Sequence, residues 1–583
     1  MKRMPFAFFM LVLCLVFTVF PAAASTAQDE PESFTSGLYT YIVLEDGTAE
    51  ITDVAPCETA EIPEELDGYT VTSIGPFAFM NCYIIQNVLL PETVRNIGDM
   101  AFYSTGIQSI VIPEGVERIG DYAFYFCYHL SSISLPASLK SIGIASFGNC
   151  SSISEALIPA GVTEIKENPF RKCQKLKRID VEQGSTCFTS VNGVLFNSTE
   201  KTLVSMPTGM SPEEYEIPEG TLAVGAFALA DQTRLRSITI PDSIVSIGDY
   251  AFSGCTALEE ITIPEGTVTV GGYAFDGCSS LVRAVLPASL EVPDSNPFSS
   301  CTNLSEMIVA ESSPHLAVVN GALMDAAGTR LIAYPLHQGR DTFIIGDGVR
   351  TIGSGAFYGN LKLLRVEIPD SVTEIGPNAF YNCSSLKEIY LPDSVKTLGR
   401  RAFYCCSDLT SVRLPAGITE LGEYTFAWCA RLTGIDLPTD ITQIGNYAFY
   451  NCAALEEITL PSGIREIPDA LFDGCKKLHD VQIPYGVTRI GACAFRGAGY
   501  IHIVSIPSSV EEIDNFAFSD CGLLNFVTVA EGVKTIGNKA FGGCKNLQNI
   551  DLPASLTLIG DNAFDDCGSF TATAPKDSYA EKW

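Results

Sequence analysis

The sequence predicts a solenoid: one elongated, right-handed stack of about 21 coils, rich in β-structure, with short 3₁₀ or helical turns. A 23-residue pattern, L-x-x-I-x-[LI]-P-x-x-[VI]-x-x-I-G-x-x-A-F-x-x-C, recurs from about residue 62 to residue 567. A grid of prolines and a column of phenylalanines keep the same interval. Because one such repeat cannot bury its apolar side alone, repeats of this length stack on their neighbours.

The proline of the pattern sets the register. In the C-terminal half it recurs every 23 residues, at Pro369, Pro392, Pro415, Pro438, Pro461, Pro484 and Pro507. The same interval joins an earlier set, Pro218, Pro241, Pro264 and Pro287. Regularity over so many copies excludes coincidence.

The first part of each repeat predicts a short strand. In the copy at residues 386–406, Leu386, Ile389 and Leu391 alternate with polar residues, as a strand with one buried face requires. Pro392 ends the strand, because it has no amide N–H to donate to the next coil.

The second part predicts a tight corner and a closing turn. Gly399 is expected at a corner that has no room for a Cβ. The spacing of Ala402, Phe403 and Cys406 then suggests one turn of 3₁₀ or α-helix.

Equivalent phenylalanines are expected to stack in one column. Such a column would carry much of the stability, since each ring buries on the order of 150–250 Å². Its nineteen members are Phe79, Phe102, Phe124, Phe147, Phe170, Phe227, Phe252, Phe275, Phe298, Phe357, Phe380, Phe403, Phe426, Phe449, Phe472, Phe495, Phe518, Phe541 and Phe564.

Two irregular repeats, at 182–217 and 310–345, break the period in the same way. Each is 36 residues long, and both carry Val-Asn-Gly at the corresponding place. The first copy predicts short strands near 193–197 and 202–206. Two interpretations stay open: a double-length coil that keeps the stack continuous, or a protruding hairpin used for binding.

The remaining segments complete the predicted organisation. Residues 1–24 have the basic start, apolar run and small-residue cleavage site of a secretory signal peptide. A capping hairpin is expected at 25–57, the repeats at 58–567 and a C-terminal cap at 568–583. After removal of the signal peptide, no membrane insertion is expected.

Composition narrows the class of partner. The formal net charge is −32, with 36 basic residues against 68 acidic ones, so phosphate backbones and anionic lipids are repelled. Nucleic acid is excluded as a ligand. No D-x-D-x-D-G calcium loop occurs.

Fifteen of the twenty cysteines fall at one position of the repeat. Their runs have odd counts, so pairing between neighbouring coils would leave one thiol over in each run, and buried reduced cysteine is the interpretation we favour. The position also accepts other small residues, Thr105, Ala230, Asn360 and Ala498. Four cysteines lie off the column, and their redox state stays open: Cys57, Cys187, Cys405 and Cys493.

No pattern of catalytic chemistry is present in the sequence. The five histidines have no metal-ligand spacing, and no Cys-x-x-Cys, G-x-S-x-G or phosphate-binding glycine loop occurs. The sequence therefore predicts no catalytic, cofactor or metal site, and a protein that is not an enzyme.

Three phrases carry a family resemblance: IGPNAFYNCSSLKEIYLPDSV at 375–395, IGNYAFYNCAALEEITLPSGI at 444–464 and EIPEELDGYTVTSIGPFAF at 61–79. They resemble the BspA-like leucine-rich repeat. The resemblance implies a leucine-rich-repeat solenoid of the α/β horseshoe class, secreted or held at a cell surface, in a family associated with adhesion to host matrix proteins and with contacts between cells. It supplies no binding motif.

A partner is expected to dock on the outward side chains of the strands, two residues before each proline. This column is unusually apolar in the N-terminal half, and its candidate protein-binding residues are Leu89, Val111, Leu157, Val285, Ile308 and Ile344. Ordinary β-propensity is the alternative explanation, because Val and Ile suit any strand.

Two functional hypotheses follow. The first is an extracellular, non-enzymatic protein-interaction scaffold, adhesin-like, whose partner is an extracellular protein such as a matrix protein or a protein of another cell. The second is a structural surface-layer component that associates with its own copies. The identity of the ligand, the mode of surface retention and the oligomeric state are left open by the sequence.

Overall fold

The computed structural model describes residues 32–337, 340–479 and 481–583. These residues form a β-solenoid of about 23 turns with little helix, so the predicted fold class is confirmed and the predicted number of coils is close. The predicted signal peptide lies outside the described residues.

An antiparallel meander precedes the first regular coil. Strands Ser33–Ser36, Tyr39–Val43 and Ala49–Val54 pair in sequence, and the third continues in parallel with Tyr69–Ile74. The short strand Glu65–Leu66 folds back on Tyr69–Ile74. Because Tyr39, Tyr41 and Ile51 are buried, this meander covers the apolar interior of the first coil.

Most regular coils contribute two short strands, one before the proline and one after it, whereas among the described residues the coils at Pro438 and Pro461 have only the bridge between Gly434 and Glu457 before the proline. Sheet A contains the strands before the proline and pairs them in parallel, in several pieces. Its strands are Thr59–Glu61, Asn87–Leu89, Ser109–Val111, Ser132–Ser134, Ala156–Ile158, Ile179–Val181, Glu214–Glu216, Ser237–Thr239, Glu260–Thr262, Arg283–Leu286, Glu306–Val309, Thr342–Ile344, Arg365–Glu367, Glu388–Tyr390, Ser411–Arg413, Ile503–Ile506, Phe526–Val529, Asn549–Asp551 and Thr571–Thr573.

Sheet B contains the two-residue strands that follow the proline, each ending on an aliphatic residue that is buried, or half-buried in the case of Ile165. These strands are Asn96–Ile97, Arg118–Ile119, Ser141–Ile142, Glu164–Ile165, Ala223–Val224, Ser246–Ile247, Thr269–Val270, Thr351–Ile352, Glu374–Ile375, Thr397–Leu398, Glu420–Leu421, Gln443–Ile444, Glu466–Ile467, Arg489–Ile490, Glu512–Ile513, Thr535–Ile536 and Leu558–Ile559. The glycine corner follows them, and a Cβ on Gly399 would lie 2.4 Å from the backbone nitrogen of Pro377, so the predicted lack of room is confirmed.

The closing turn differs from the predicted 3₁₀ or α-helical turn. The N–H groups of Phe77, Phe79 and Asn81 donate to carbonyls of the next coil at 2.7 to 3.1 Å. Phe77 and Asn81 both have a φ of 62°, which turns alternate amides out of their own coil. A helical turn would keep these bonds within one coil, whereas the observed turn joins neighbouring coils. Within the described residues the one α-helix is Tyr579–Lys582.

The phenylalanine column is present in the regular coils. Phe380, Phe403 and Phe426 stack with centroid distances of 5.1 and 5.5 Å, so the predicted register is confirmed there. The rings from Phe357 to Phe564 form one run with neighbouring centroids 4.9 to 5.9 Å apart. Two shorter runs precede it, at 79–170 and 252–298.

One predicted member of the column is wrong. Phe227 lies half-buried outside the core, stacked on Tyr250 with centroids 4.9 Å apart, and Leu229 takes its place in the column. The error arises because Phe227 precedes Phe252 by 25 residues, and counting back the 23-residue period reaches Leu229. The cysteine position of this coil is accordingly Gln232, not Ala230.

The cysteine column satisfies buried carbonyls. Fourteen of its thiols donate to the carbonyl of the phenylalanine-column residue in the preceding coil, as Cys406 does to Phe380 at 3.1 Å. All nineteen cysteines of the described residues are free thiols. A small side chain fits this position and a thiol also satisfies the buried carbonyl, which explains the recurrence of cysteine without crosslinking.

We expect the melting temperature to fall as the pH rises from about 9 toward 12. Burial raises the pKa of Cys383, Cys452 and Cys521 from 9.0 to about 12. The folded state therefore holds these protons more tightly than the unfolded state, so the stabilisation is complete below pH 9 and is lost above it. Thermal melts at pH 8, 10 and 11 measure how steeply the melting temperature falls with pH.

A variant with alanine at Cys383, Cys452 and Cys521 is the control for the alkaline melts. Its slope should be shallower, because three groups whose protonation is coupled to folding are gone. Identical slopes for the two proteins would contradict the thiol explanation.

Each 36-residue segment folds as a three-stranded antiparallel meander. The strands are Phe188–Val191, Val194–Asn197 and Thr202–Ser205 in the first copy and Leu316–Val319, Ala322–Asp325 and Arg330–Ala333 in the second. In both copies the third strand pairs in parallel with the next strand of sheet B. The meanders are thus built into the stack, in agreement with the continuous double-length coil and not with a protruding hairpin.

A buried asparagine joins the coils on either side of each meander. Asn168 Nδ2 donates to the Phe227 carbonyl and Asn296 Nδ2 to the Gly355 carbonyl, both at 2.8 Å. Asn296 Oδ1 also accepts from the N–H of Phe298 at 2.8 Å. Both asparagines occur in Asn-Pro-Phe, where the regular repeat has x-Ala-Phe, a signal that our sequence interpretation missed.

Candidate protein-interaction face

All six candidate residues lie on the outward face of sheet A. Val111, Ile344, Leu89 and Leu157 are 71%, 64%, 59% and 51% exposed, respectively, while Val285 and Ile308 are half-buried. These exposures follow from the strand alternation, in which the residue two before the proline points to solvent.

The structure divides the candidates into two groups. In the first, strand Asn87–Leu89 pairs with strand Ser109–Val111, which places Leu89 beside Val111. Ser134 is in register with Val111 and separates it from Leu157 in the following coil. This group is therefore interrupted by a polar residue.

The second group surrounds the second meander. Val285 is in register with Ile308 on neighbouring strands, and strand Glu306–Val309 contacts the first strand of the meander. Val319 of that strand lines a groove of about 510 Å³ together with Ile344.

The second meander adds two exposed residues that the sequence interpretation missed, Val318 at 37% and Val319 at 46% exposure. We call Val285, Ile308, Val318, Val319 and Ile344 the apolar patch. Ile308 and Ile344 are not neighbours in sheet A, because the meander lies between their strands. Val319 shares a groove with Ile344, and the first strand of the meander contacts the strand that carries Ile308.

Charged side chains border the apolar patch. Arg283 Nε lies 3.2 Å from Glu306 Oε2, on the strands that carry Val285 and Ile308. An apolar centre with a charged border is the usual composition of a protein-binding surface.

The first meander has a polar groove on its other side, toward the preceding coil. Its groove, of about 760 Å³, is lined by Arg178, Asp180, Glu182, Ser190 and Asn192, among others. We call it the polar groove. Arg178 Nη2 lies 2.6 Å from Asp180 Oδ1, and this carboxylate raises the pKa of the guanidinium. The polar groove lies between the first meander and the preceding coil, whereas the groove at Val319 and Ile344 lies between the second meander and the following coil.

A third outward feature lies in the C-terminal half. Tyr390 is 56% exposed, and the Arg413 guanidinium lies 4.6 Å from its ring centroid. The same guanidinium contacts the Asp393 carboxylate at 3.1 Å. Because the Arg413 guanidinium already contacts both the Tyr390 ring and the Asp393 carboxylate, it is not free to bind a partner.

Residues 32–337, 340–479 and 481–583 contain no group of three or more His, Cys, Asp or Glu side chains placed to hold a metal ion. No helix in this part of the chain has the length and apolarity that a bilayer crossing requires.

Comparison with known families identifies the repeat. A family model described as "BspA type Leucine rich repeat region (6 copies)" matches residues 58–201, 213–317, 350–479 and 465–578. No curated protein sequence matches the chain.

Three crystal structures of bacterial proteins are similar to this chain. A leucine rich cell surface protein from Faecalibacterium prausnitzii is 27% identical, with 78% of this chain and 96% of that one covered and a TM-score of 0.35. A leucine-rich repeat protein from Bacteroides ovatus is 26% identical, with 74% and 95% covered and a TM-score of 0.36. One from Eubacterium ventriosum is 23% identical, with 72% and 95% covered and a TM-score of 0.38.

Proposed function

Because the chain belongs to the BspA-type leucine-rich repeat family, we propose that it is a non-enzymatic scaffold that binds proteins outside the cell. Its partner is a protein of the host, of a matrix or of another cell, as in an adhesin. The observation that carries this proposal is the apolar patch at the second meander.

Exposed aliphatic side chains in a contiguous group are costly on a protein that remains alone in water. Ile344 is 64% exposed and Val319 is 46% exposed, and the side chains of both border one groove. A contiguous apolar surface of this kind marks an interaction site, because its burial against a partner releases water.

The predicted signal peptide and the acidic surface support a place outside the cell. Residues 1–24 have the features of a secretory signal, and the formal net charge of −32 keeps a long solenoid soluble.

Replacing Val285, Ile308 and Ile344 by glutamate should abolish partner binding while leaving the melting temperature unchanged. Three carboxylates would have to lose their water in the complex, whereas in the free protein all three side chains lie on the outward face of sheet A, where Ile344 is exposed and Val285 and Ile308 are half-buried. Binding is measured by pull-down against a panel of purified matrix proteins and against whole cells.

The matched control places glutamate at Thr459, Gln482 and Thr528, exposed positions of the same outward column. This variant has the same added charge and should bind as the unmodified protein does. Unchanged binding of the Val285, Ile308 and Ile344 variant would contradict the proposed site.

Sedimentation at rising concentration tests the alternative, since self-assembly without a partner would favour a surface-layer component.

A further inference from the structure

The first meander crosses the solenoid between two hydrophobic cores. Its strands point alternate side chains into two different cores. Phe188, Leu195 and Val204 belong to the core of the preceding coils, whereas Val194, Phe196 and Leu203 belong to the core of the following coils. The plane of the meander is therefore transverse to the solenoid, with its third strand in sheet B and its first strand toward sheet A.

The first strand of this meander has an unpaired edge. Within the described residues, Phe188–Val191 pairs with Val194–Asn197 and with no other strand. The polar groove is lined by Phe188, Thr189 and Ser190, so this strand borders open space. An accessible strand edge is a template for another extended backbone.

The hydrogen-bond pattern shows which groups the edge presents. The Ser198 N–H donates to the Cys187 carbonyl at 2.8 Å, so the odd-numbered residues of the first strand bond to the second strand. The N–H of Ser190 and the carbonyls of Phe188 and Ser190 consequently point away from the meander. The Phe188 N–H is already held by Ser185 Oγ at 3.2 Å.

The polar groove borders this edge and supplies a charge preference. The Arg178 guanidinium is neutralised by Asp180 at 2.6 Å. Glu182 is an exposed carboxylate that accepts a hydrogen bond from the Ala160 N–H at 3.0 Å and has no ion pair among the described residues. In a chain of formal net charge −32, this lining favours a basic side chain over an acidic one.

The second meander provides an internal comparison. Leu316–Val319 pairs with Ala322–Asp325 in the same register and is also an edge strand of its sheet. There, however, Ile308 and Ala310 occupy the positions of Asp180 and Glu182. The two edges share a backbone geometry and differ in the side chains that a partner would meet.

We propose that the edge strand Phe188–Val191 accepts an extended, basic segment of a partner protein as an added β-strand. Backbone bonds to Ser190 and Phe188 hold the segment, and Glu182 pairs with its basic side chain. This inference rests on the proposed function as a protein-binding scaffold and concerns a different surface from the apolar patch.

The test uses a blocked heptapeptide of alternating lysine and valine, titrated into the mature chain by calorimetry. A peptide of the same sequence with alternate backbone nitrogens methylated has the same charge and lacks the donors that a strand needs. We expect it to bind roughly tenfold more weakly, the effect of losing one to two backbone hydrogen bonds. A peptide with glutamate in place of lysine should bind more weakly still.

Three variants separate strand addition from other contacts. Ser190→Pro removes the outward N–H, which an edge strand tolerates, and should weaken the lysine peptide roughly tenfold. Ser190→Ala loses the hydroxyl bond to the Ile179 carbonyl but keeps the N–H, and should bind normally. Val318→Pro, the same change in the second meander, should also bind normally.

Equal affinity for the methylated and unmethylated peptides, unaltered binding by the Ser190→Pro variant, or no binding of the lysine peptide at all would each overturn the proposal. The glutamate variant of the apolar patch is titrated in parallel. If it loses its partner protein but keeps the peptide, the two surfaces act independently. Failure of the peptide alone thus leaves the proposed function standing.

Discussion

Replacement of Phe403 by alanine is expected to lower the free energy of unfolding by about 3–5 kcal/mol. The ring is fully buried and stacks on Phe380 and Phe426 at 5.1 and 5.5 Å. Its removal leaves a cavity that the neighbouring coils cannot close, because their backbones are fixed by hydrogen bonds between the turns. Denaturant unfolding followed by circular dichroism measures the change.

Tyr390 is the matched control for this substitution, since it is aromatic and exposed in the same coil. Tyr390→Ala should change the stability by no more than about 1 kcal/mol, because it loses only an exposed contact with the Arg413 guanidinium. A cost of that size for Phe403→Ala would contradict the stacked column.

The regular coils could be predicted because their spacing is strict. Where the interval is 23 residues, as from Phe380 to Phe403, the sequence places each side chain in its column. At Phe227, directly after the first meander, the residue type misled the prediction, because counting back 23 residues from Phe252 reaches Leu229 and not this phenylalanine. An error of two residues there moves an aromatic ring from the core to the surface.

The closing turn was less predictable for a different reason. A three-residue spacing of apolar residues is common to a helical turn and to the observed turn, so the pattern alone does not distinguish them. The two kinds of turn differ in the acceptors of alternate N–H groups, and in the observed turn the Phe79 N–H donates to the Ala101 carbonyl of the next coil at 2.7 Å. The position of that carbonyl depends on the neighbouring coil and cannot be inferred from one repeat alone.

The candidate site was predictable in part. The outward column identified Val285, Ile308 and Ile344, because the register of the repeat fixes their orientation. Val318 and Val319 were not predicted as part of the site, because only two strands were expected in the meander and the first of its three strands was not recognised. Placing them requires the pairing of Leu316–Val319 with Ala322–Asp325.

The meanders also divide the hydrophobic core. Buried residues form three principal clusters, and the boundaries between them fall at the two meanders. Apolar packing is therefore interrupted where each meander crosses the solenoid. Polar groups must help to join the blocks of coils on its two sides. Asn168 and Asn296 lie at these boundaries, 3% and 2% exposed.

We expect Asn296→Ala to lower the free energy of unfolding by about 2–4 kcal/mol. The substitution leaves the Gly355 carbonyl and the Phe298 N–H without their 2.8 Å partners in a buried site, at a cost of about 1–3 kcal/mol each. Asn303→Ala, at an exposed position, is the control and should be nearly neutral. Hydrogen exchange should show faster exchange in the coils that adjoin the second meander. A uniform effect along the chain, or a cost equal to that of the control, would show that the asparagine does not join the blocks.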